Sequence, residues 1–548
     1  MWCELVLFVA VAVSRGAGLD VLEPRLVHIE QGPVRGYQDP STGAPLPPPK
    51  WIEPIGEDKH IVCPQIYSAL LMGKDMREDC LFANVYVPET KKNNLPVIVY
   101  VHGGGFQIGY GDMFLPTMFM KRHRKFICVT FNYRLGVLGF LCLGTKGTPG
   151  NAGMKDQVCL LRWVKQNIAC FGGNPDDVTI ASPSAGSMSV ELLMLSKTTE
   201  GLFNKVIAES GASTGPIAVQ IDPLDVAKWF AISLGFDSDD VNSDIYDLEK
   251  FLKSLPVDKL YNVTNAIINT NSTLGFVPCV ERKTGFDVFM DKQPADIIKH
   301  CGYRRVPMLY GFCNMEGLLD IGMFPLWKSK MNEKFSDFLP ADLKFSNDDE
   351  KEEVAKCIKY DYFGDKNISE TTILQYTDYF TDIQIAYPML RSAKLLQKNG
   401  HKEIYFYEYS YFDDATPVVP YTNVRGANHC AQTLTVLDYR QLTNPLANLP
   451  DEYKRIRDVC QEMWCNFILT GKPVPEGSSL PAWPPMQGDR SPHMSLGIEV
   501  QLKDKLLENR SRIWDNIYSN FCRAPEAPPA PPRRKCRRIP KRCCRVNP

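Results

Sequence analysis

Between Pro88 and about residue 210 the chain alternates short, continuously apolar runs with segments of helical period, and this alternation restricts its fold more than any other feature. Val97–Val101 (VIVYV), Phe126–Phe131 (FICVTF) and Val178–Ala181 (VTIA) are β-branched and aromatic runs of strand length. The last of them leads into a helical pattern that continues through Leu195. Val206–Ala208, Met308–Tyr310 and Ile404–Tyr409 (IYFYEY) are further candidate strands. Runs that are apolar on both faces belong in a sheet covered on both sides, so the pattern predicts an α/β fold with a large, mostly parallel sheet flanked by helices. Asp222–Asp287 is more polar and helical, as expected of an insertion laid over such a sheet. No internal repeat is evident.

Two of these strands run into turns with chemical content. VTIA is followed by Ser182-Pro183-Ser184-Ala185-Gly186 and then a helix. This is the strand–turn–helix setting in which a serine is projected over the end of a sheet as a nucleophile. A Ser/Pro/Gly cluster alone is more often a plain turn. VIVYV is followed by His102-Gly103-Gly104-Gly105-Phe106. Three glycines there let the backbone approach a bound acyl group and aim N–H groups at a developing oxyanion, whereas the simpler reading is a loop that needs positive φ.

A hydroxyl becomes a nucleophile at neutral pH only beside a base that a third group orients. In the nucleophile-elbow order the acid follows the serine and the histidine comes last. Glu316, in Gly311-Phe312-Cys313-Asn314-Met315-Glu316-Gly317, stands just past the strand PMLY, although an acid in such a loop is commonly solvated surface. Of the histidines beyond it, His401 sits in a polar KNGHKE turn and His493 in a Ser/Pro loop. His429, in RGANHC, follows a predicted strand by one loop and is the candidate base.

Composition bounds the rest. With 548 residues, 44% of them hydrophobic, the chain can bury a large core. Lys+Arg (62) and Asp+Glu (63) balance, which argues against a nucleic-acid partner. Nine of the basic residues but one acid fall in the last 26, so the remainder carries about −9. That tail, residues 523–548, is Pro-rich and self-repelling, and is expected to be disordered; its Arg/Lys cluster suits contact with a polyanion. Leu5–Val13 (LVLFVAVAV), followed by small residues at Ser14, Gly16 and Gly18, reads as a secretory leader over residues 1–18, with a buried strand as the alternative. Secretion also suits the sequons at Asn262, Asn271, Asn367 and Asn509 and the 18 cysteines. Loss of Cys3 with the leader would leave an odd number. No segment has the length of a transmembrane helix, so no membrane anchor is expected, and no metal-ligand spacing or cofactor motif is present.

With these residues in view, the chain resembles the type-B carboxylesterase/cholinesterase family from about residue 25 to 520. EDCLFANVYVP (78–88), NYRLGVLGFL (132–141), GNAGMKDQ (150–157) and FGGNP (171–175) match beyond the two turns, and GFCNMEG and GANH match the acid and histidine motifs. The resemblance implies an α/β-hydrolase fold over residues 19–522 and hydrolysis of a small-molecule ester. It implies Ser184 as nucleophile, His429 as general base and acid, and Glu316 as orienter of the imidazole. The N–H groups of Gly104, Gly105 and Ala185 would form the oxyanion hole. It further implies a Cys63–Cys80 disulfide; Cys279 and Cys301 are expected as a second pair. Three departures stand out. The family's Gly-Glu-Ser-Ala-Gly is here Ser-Pro-Ser-Ala-Gly, the loop from Cys63 to Cys80 holds no tryptophan, and STGAPLPPPKW (41–51) replaces the family's F-x-G-I-P-Y-A-x-P-P. The first two remove a negative charge and an aromatic face suited to a cationic alcohol, so acetylcholine is not the expected substrate. A lipase for long acyl chains and a catalytically silent binding or adhesion module are the competing readings. The silent relatives typically lack a triad member and carry an anchor.

Overall fold

The computed structural model describes residues 60–530, except 67–70, 72, 238–243, 264–269, 286, 440–448 and 489–490, together with the strands Phe8–Val13, Arg25–Ile29 and Gly32–Gly36. The replaced segment at 41–51 lies outside the described residues. Ten strands form one sheet in the spatial order Phe8–Val13, Phe82–Val87, Ile127–Phe131, Leu95–Tyr100, Gly173–Pro183, Lys205–Glu209, Met308–Cys313, Ile404–Tyr409, His493–Leu496 and Val500–Lys503. From Ile127–Phe131 to His493–Leu496 every neighbouring pair is parallel. Phe82–Val87 against Ile127–Phe131 and the final hairpin are antiparallel. All the strands expected from the sequence are present: those at 178–181, 206–208 and 308–310 are longer than expected, 404–409 is unchanged, and the other two differ at their ends by one or two residues. Phe82–Val87 and the last two were not singled out as strands. His493 therefore lies not in a loop but in a buried strand, where burial pushes its imidazole down to about 4.

The apolar runs behave as strands buried on both faces. Val97, Val99 and Val101 pack into one core, and Ile98 and Tyr100 into the core on the opposite side. Each fully buried aliphatic or aromatic side chain stabilises the fold by about 1.5–3 kcal/mol over its exposed state. The helices Ala152–Asn167 and Ala185–Leu195 cover the first face, and every residue of the second helix is buried. Asp451–Thr470 covers the other face through Ile456, Met463, Trp464 and Phe467. A third cluster around Trp327, Tyr376, Phe380 and Trp514 is built from the helical segments after Glu316 and the last helix, Glu508–Phe521. Pro223–Ser233, Ile245–Ser254 and Val257–Val263 supply the helical insertion expected over 222–287.

Residues of the quoted motifs tie the loops at the sheet's edge together. Asn132 donates through Nδ2 to the Ile61 and Cys80 carbonyls and accepts from the Gly111 N–H. Arg134 forks onto both oxygens of Asp156 at 2.8 and 2.6 Å. The sulfurs of Cys63 and Cys80 lie 2.09 Å apart. Cys279, in contrast, bonds Cys142 rather than Cys301, which is an exposed free thiol. Gly150 permits this pairing by its lack of a Cβ, which would lie 2.6 and 2.8 Å from the two sulfurs. The tail read as disordered from residue 523 is described as far as residue 530, and that part lies on the body. Arg523 pairs with Asp222, its N–H donates to the Asp342 carbonyl, and Ala527 packs on the main core. The basic cluster beyond it lies outside the described residues. Phe8–Val13, within the segment read as a leader, pairs in parallel with Phe82–Val87 at the edge of the sheet.

Candidate active site

The strand Gly173–Pro183 ends at the sheet's carboxyl edge, and Ser184 turns the chain into the helix Ala185–Leu195. To do so it adopts φ 58° and ψ −132°, a conformation that L-residues rarely occupy. The turn is held by its Ser184 N–H, which donates to the Glu209 carbonyl at 2.8 Å, and by its crowded surroundings. A Cβ on Gly186 would overlap Ser182 Oγ and come within 2.8 Å of the Val101 and His102 carbonyls; one on Gly211 would meet the Ser184 carbonyl at 2.5 Å. Ser182, the serine in place of the motif's first glycine, is fully buried, and its hydroxyl donates to the Val101 carbonyl at 2.5 Å. The extra Cβ and oxygen are thus accommodated by a hydrogen bond to the strand that carries the glycine loop. Pro183 stands at the last paired position of the strand, where the missing N–H and fixed φ suit an ending.

The glycine loop lies against this turn: a Cβ on Gly103 would be 3.0 Å from Ser184 Cβ. Gly104 and Gly105 take φ 112° and 62°, and Gly104 accepts from the N–H groups of Gln107 and Ile108. His102 is a structural residue, since its ring stacks on Tyr133 at 4.3 Å and its Nδ1–H donates to the Gly103 carbonyl. Burial pushes that imidazole down to about 4.

The structure brings Ser184, Glu316 and His429 into one hydrogen-bonded line. Ser184 Oγ lies 2.9 Å from His429 Nε2, and His429 Nδ1 lies 2.5 Å from Glu316 Oε2. The second oxygen of Glu316 accepts the Cys313 N–H at 2.7 Å, so the 1%-exposed carboxylate is held at both ends. Gly317 packs so closely on the helix Ile373–Thr381 that a Cβ would strike its backbone, and its N–H donates to Thr381 Oγ1. Burial opposes charge on the His429 imidazole, while the Cys430 sulfur and the Glu316 carboxylate favour it; the balance lies well above the ordinary histidine value. The Cys430 thiol is itself pushed up by burial. Asp320, four residues beyond Glu316, is pushed up to about 6 by burial, against the opposing effects of Gln384 and His429.

Other residues fall elsewhere. His401 is buried, bonds the Val306 carbonyl through its ring and is pushed down to about 4, mainly by burial. Asn367 and Asn509 are exposed, Asn271 is half-buried, and Asn262 belongs to the helix Val257–Val263. Among the described residues no group of acids, cysteines and histidines is placed to hold a metal ion. None of their helices is long and apolar enough to cross a membrane. Sequence reasoning passed over Cys313, Thr381 and Gln432, which grip the acid and histidine loops. It also passed over Glu209, although a Glu-Ser-Gly at the end of a buried strand was a signal that could have found it.

A parallel sheet whose central strand delivers a serine through a strained turn, beside a glycine loop and a Glu–His pair, defines an α/β-hydrolase. Comparison with known proteins narrows the class. The model of the Carboxylesterase family matches residues 27–514, and the chain belongs to that family. It is a carboxylic ester hydrolase. Juvenile hormone esterase of Heliothis virescens is 31% identical over 450 residues, 77% of each chain. Liver carboxylesterase of Sus scrofa is 28% identical over 84% of this chain and 80% of its own. The crystal structure of juvenile hormone esterase from Manduca sexta, with OTFP covalently attached, superposes with a TM-score of 0.76 at 26% identity, covering 91% of this chain and all of the other.

Proposed function

We propose that the chain hydrolyses uncharged carboxylic esters through an acyl-enzyme at Ser184. The observation that carries this reading is the unbroken line Ser184 Oγ–His429 Nε2, His429 Nδ1–Glu316 Oε2. His429 takes the Ser184 proton as Oγ attacks the ester carbonyl, and Glu316 holds the Nδ1–H tautomer and balances the imidazolium that forms. The N–H groups of Gly104, Gly105 and Ala185 receive the oxyanion. The imidazolium then protonates the leaving alcohol, and a water deprotonated by His429 releases the acid from Ser184. An alcohol portion without a cation fits Pro183 in place of an acidic neighbour and the tryptophan-free loop between Cys63 and Cys80. With the chain expressed from eukaryotic cells, short p-nitrophenyl esters should be turned over. A fluorophosphonate should stop turnover and be recovered on the peptide containing Ser184. Label on another peptide, or none on folded protein, would sink this reading, and folded but inert protein would favour the silent binding module.

Secretion is proposed with it. Its support is the leader-like run, together with sequons whose Asn367 and Asn509 are exposed. Sequencing of the protein recovered from the medium should begin near residue 19, and a glycosidase should lower its apparent mass. A mature chain that still contains Phe8–Val13 would instead mean that this run serves as the edge strand.

A further inference from the structure

We propose that Glu209 is a positioning residue of this reaction: its carboxylate fixes His429 against Ser184 by clamping the helix that begins two residues beyond the histidine onto the strand end that holds the nucleophile. The inference rests on the reading of Ser184 and His429 given above. Glu209 closes the strand Lys205–Glu209, and its carbonyl is the acceptor for the Ser184 N–H. Its side chain is 1% exposed. One oxygen accepts the Thr433 hydroxyl at 2.9 Å, and Thr433 belongs to the helix Ala431–Val436 that follows His429. The other accepts from the Tyr407 hydroxyl at 2.5 Å and the Trp464 indole at 3.3 Å.

The next residue continues the connection. Ser210, at φ 56°, accepts from Gln432 Nε2 at 2.8 Å. Gln432 Oε1 in turn accepts from the Cys313 thiol, and the Cys313 N–H holds Glu316. From Glu209-Ser210, therefore, short hydrogen-bonded paths run to the serine turn, the acid loop and the histidine helix. Three donors facing one buried carboxylate favour its ionised form, and among the described residues no cation pairs with it. Tyr100, Tyr407, Cys313, Cys430 and Cys460, the titratable groups around it, are all pushed up by burial and are neutral, and Glu316 is a like charge. Burial outweighs the three donors and pushes the Glu209 carboxyl up to about 7. Protonation there, as the pH falls through about 7, removes an acceptor from the clamp and adds a second proton to the one that stops His429 acting as a base.

The experiment is Glu209→Gln in the full chain, assayed on a short p-nitrophenyl ester with competent sites counted by fluorophosphonate titration. The kcat per site should fall about tenfold or more, with KM within about threefold. The acid limb of log(kcat/KM) should change from a slope above one to a slope of one. Thr433→Val, which removes one donor and keeps the acid, should lower kcat by about threefold with the steeper limb retained, and it carries the test if the glutamine variant does not fold. Wild-type kcat in both variants overturns the proposal. So does a lowered kcat on an unchanged limb in Glu209→Gln, which would reduce Glu209 to packing. Ser184→Ala separates the two readings: activity surviving in that variant refutes the nucleophile, whereas its loss beside an unaffected Glu209→Gln refutes only the clamp.

Discussion

Ser184→Ala is expected to lower kcat for a short aryl ester by about a millionfold while the protein keeps its fold and its KM within about tenfold. The size follows from what the hydroxyl does. Without Oγ no acyl-enzyme forms, and His429 is left to activate water from a position set for a serine proton. The oxyanion donors and the binding surface remain, so a residual acceleration of about 10³–10⁴ over water should persist. Stability should change little or improve. Alanine at this position still has to adopt φ 58°, but the Glu209 carbonyl keeps its N–H partner, and only the half-buried hydroxyl's bond to His429 is lost. Thermal denaturation and fluorophosphonate labelling of the variant separate these effects: an unchanged melting temperature with no label assigns the loss to chemistry. A fall of less than about a hundredfold would mean that another nucleophile carries the reaction.

How far that variant could have been designed from sequence shows where the information lies. VIVYV, VTIA and IYFYEY are β-branched and aromatic with one polar residue each at most outside their tyrosines, and such runs point to a sheet buried on both faces as a home for the backbone. Glycines after one strand and Ser-x-Ser-x-Gly after another then place the reacting end. His493 was harder, because SPHMSL is short and flanked by Pro and Gly; its partner strand, Ile404–Tyr409, is almost ninety residues away and supplies the pairing that turns it into a strand. The same limit hid the Cys142–Cys279 bond, whose 137-residue separation leaves no local trace. Motifs also hid function behind their most visible member. Cys313, three residues before Glu316, holds the acid through a backbone N–H that any residue but proline would supply, and its thiol and Gln432 act because the fold brings them together beside Ser210. Positioning residues of this kind are defined by contacts between strand ends, and their identities carry little signal until the topology is known.

Ser182 shows the converse. As a letter it breaks the family's pattern at a position where glycine allows close packing. In the fold its hydroxyl meets a carbonyl of the neighbouring strand at 2.5 Å, and the turn is built with the serine in place. Accommodation of that oxygen depends on Gly186, whose missing Cβ leaves the space it occupies. The departure is thus local to one contact and does not reach the line from Ser184 to Glu316.

Glu316→Gln is the second variant with a large expected effect, a fall in kcat of about 10⁴-fold, or ~5.5 kcal/mol of transition-state stabilisation. Volume and burial are kept, and the Cys313 N–H can still find an acceptor, so the fold should persist. What changes is the group facing His429 Nδ1. An amide nitrogen there donates, which forces the neutral imidazole to carry its proton on Nε2, where it meets the Ser184 hydroxyl as a donor and cannot serve as its base. The charge that favours the imidazolium is lost as well. Since Glu316 is among the groups that raise the His429 value against burial, its removal lowers that value, and the acid limb of the residual activity should move to lower pH. Glu316→Asp keeps the charge but draws it back by one methylene; it should lose less activity than the glutamine variant and leave the limb nearer its original position. A glutamine variant with the wild-type limb and a small loss would show that the 2.5 Å contact orients the ring without stabilising its charge, and the electrostatic part of the mechanism would then have to come from Asp320 or Glu209.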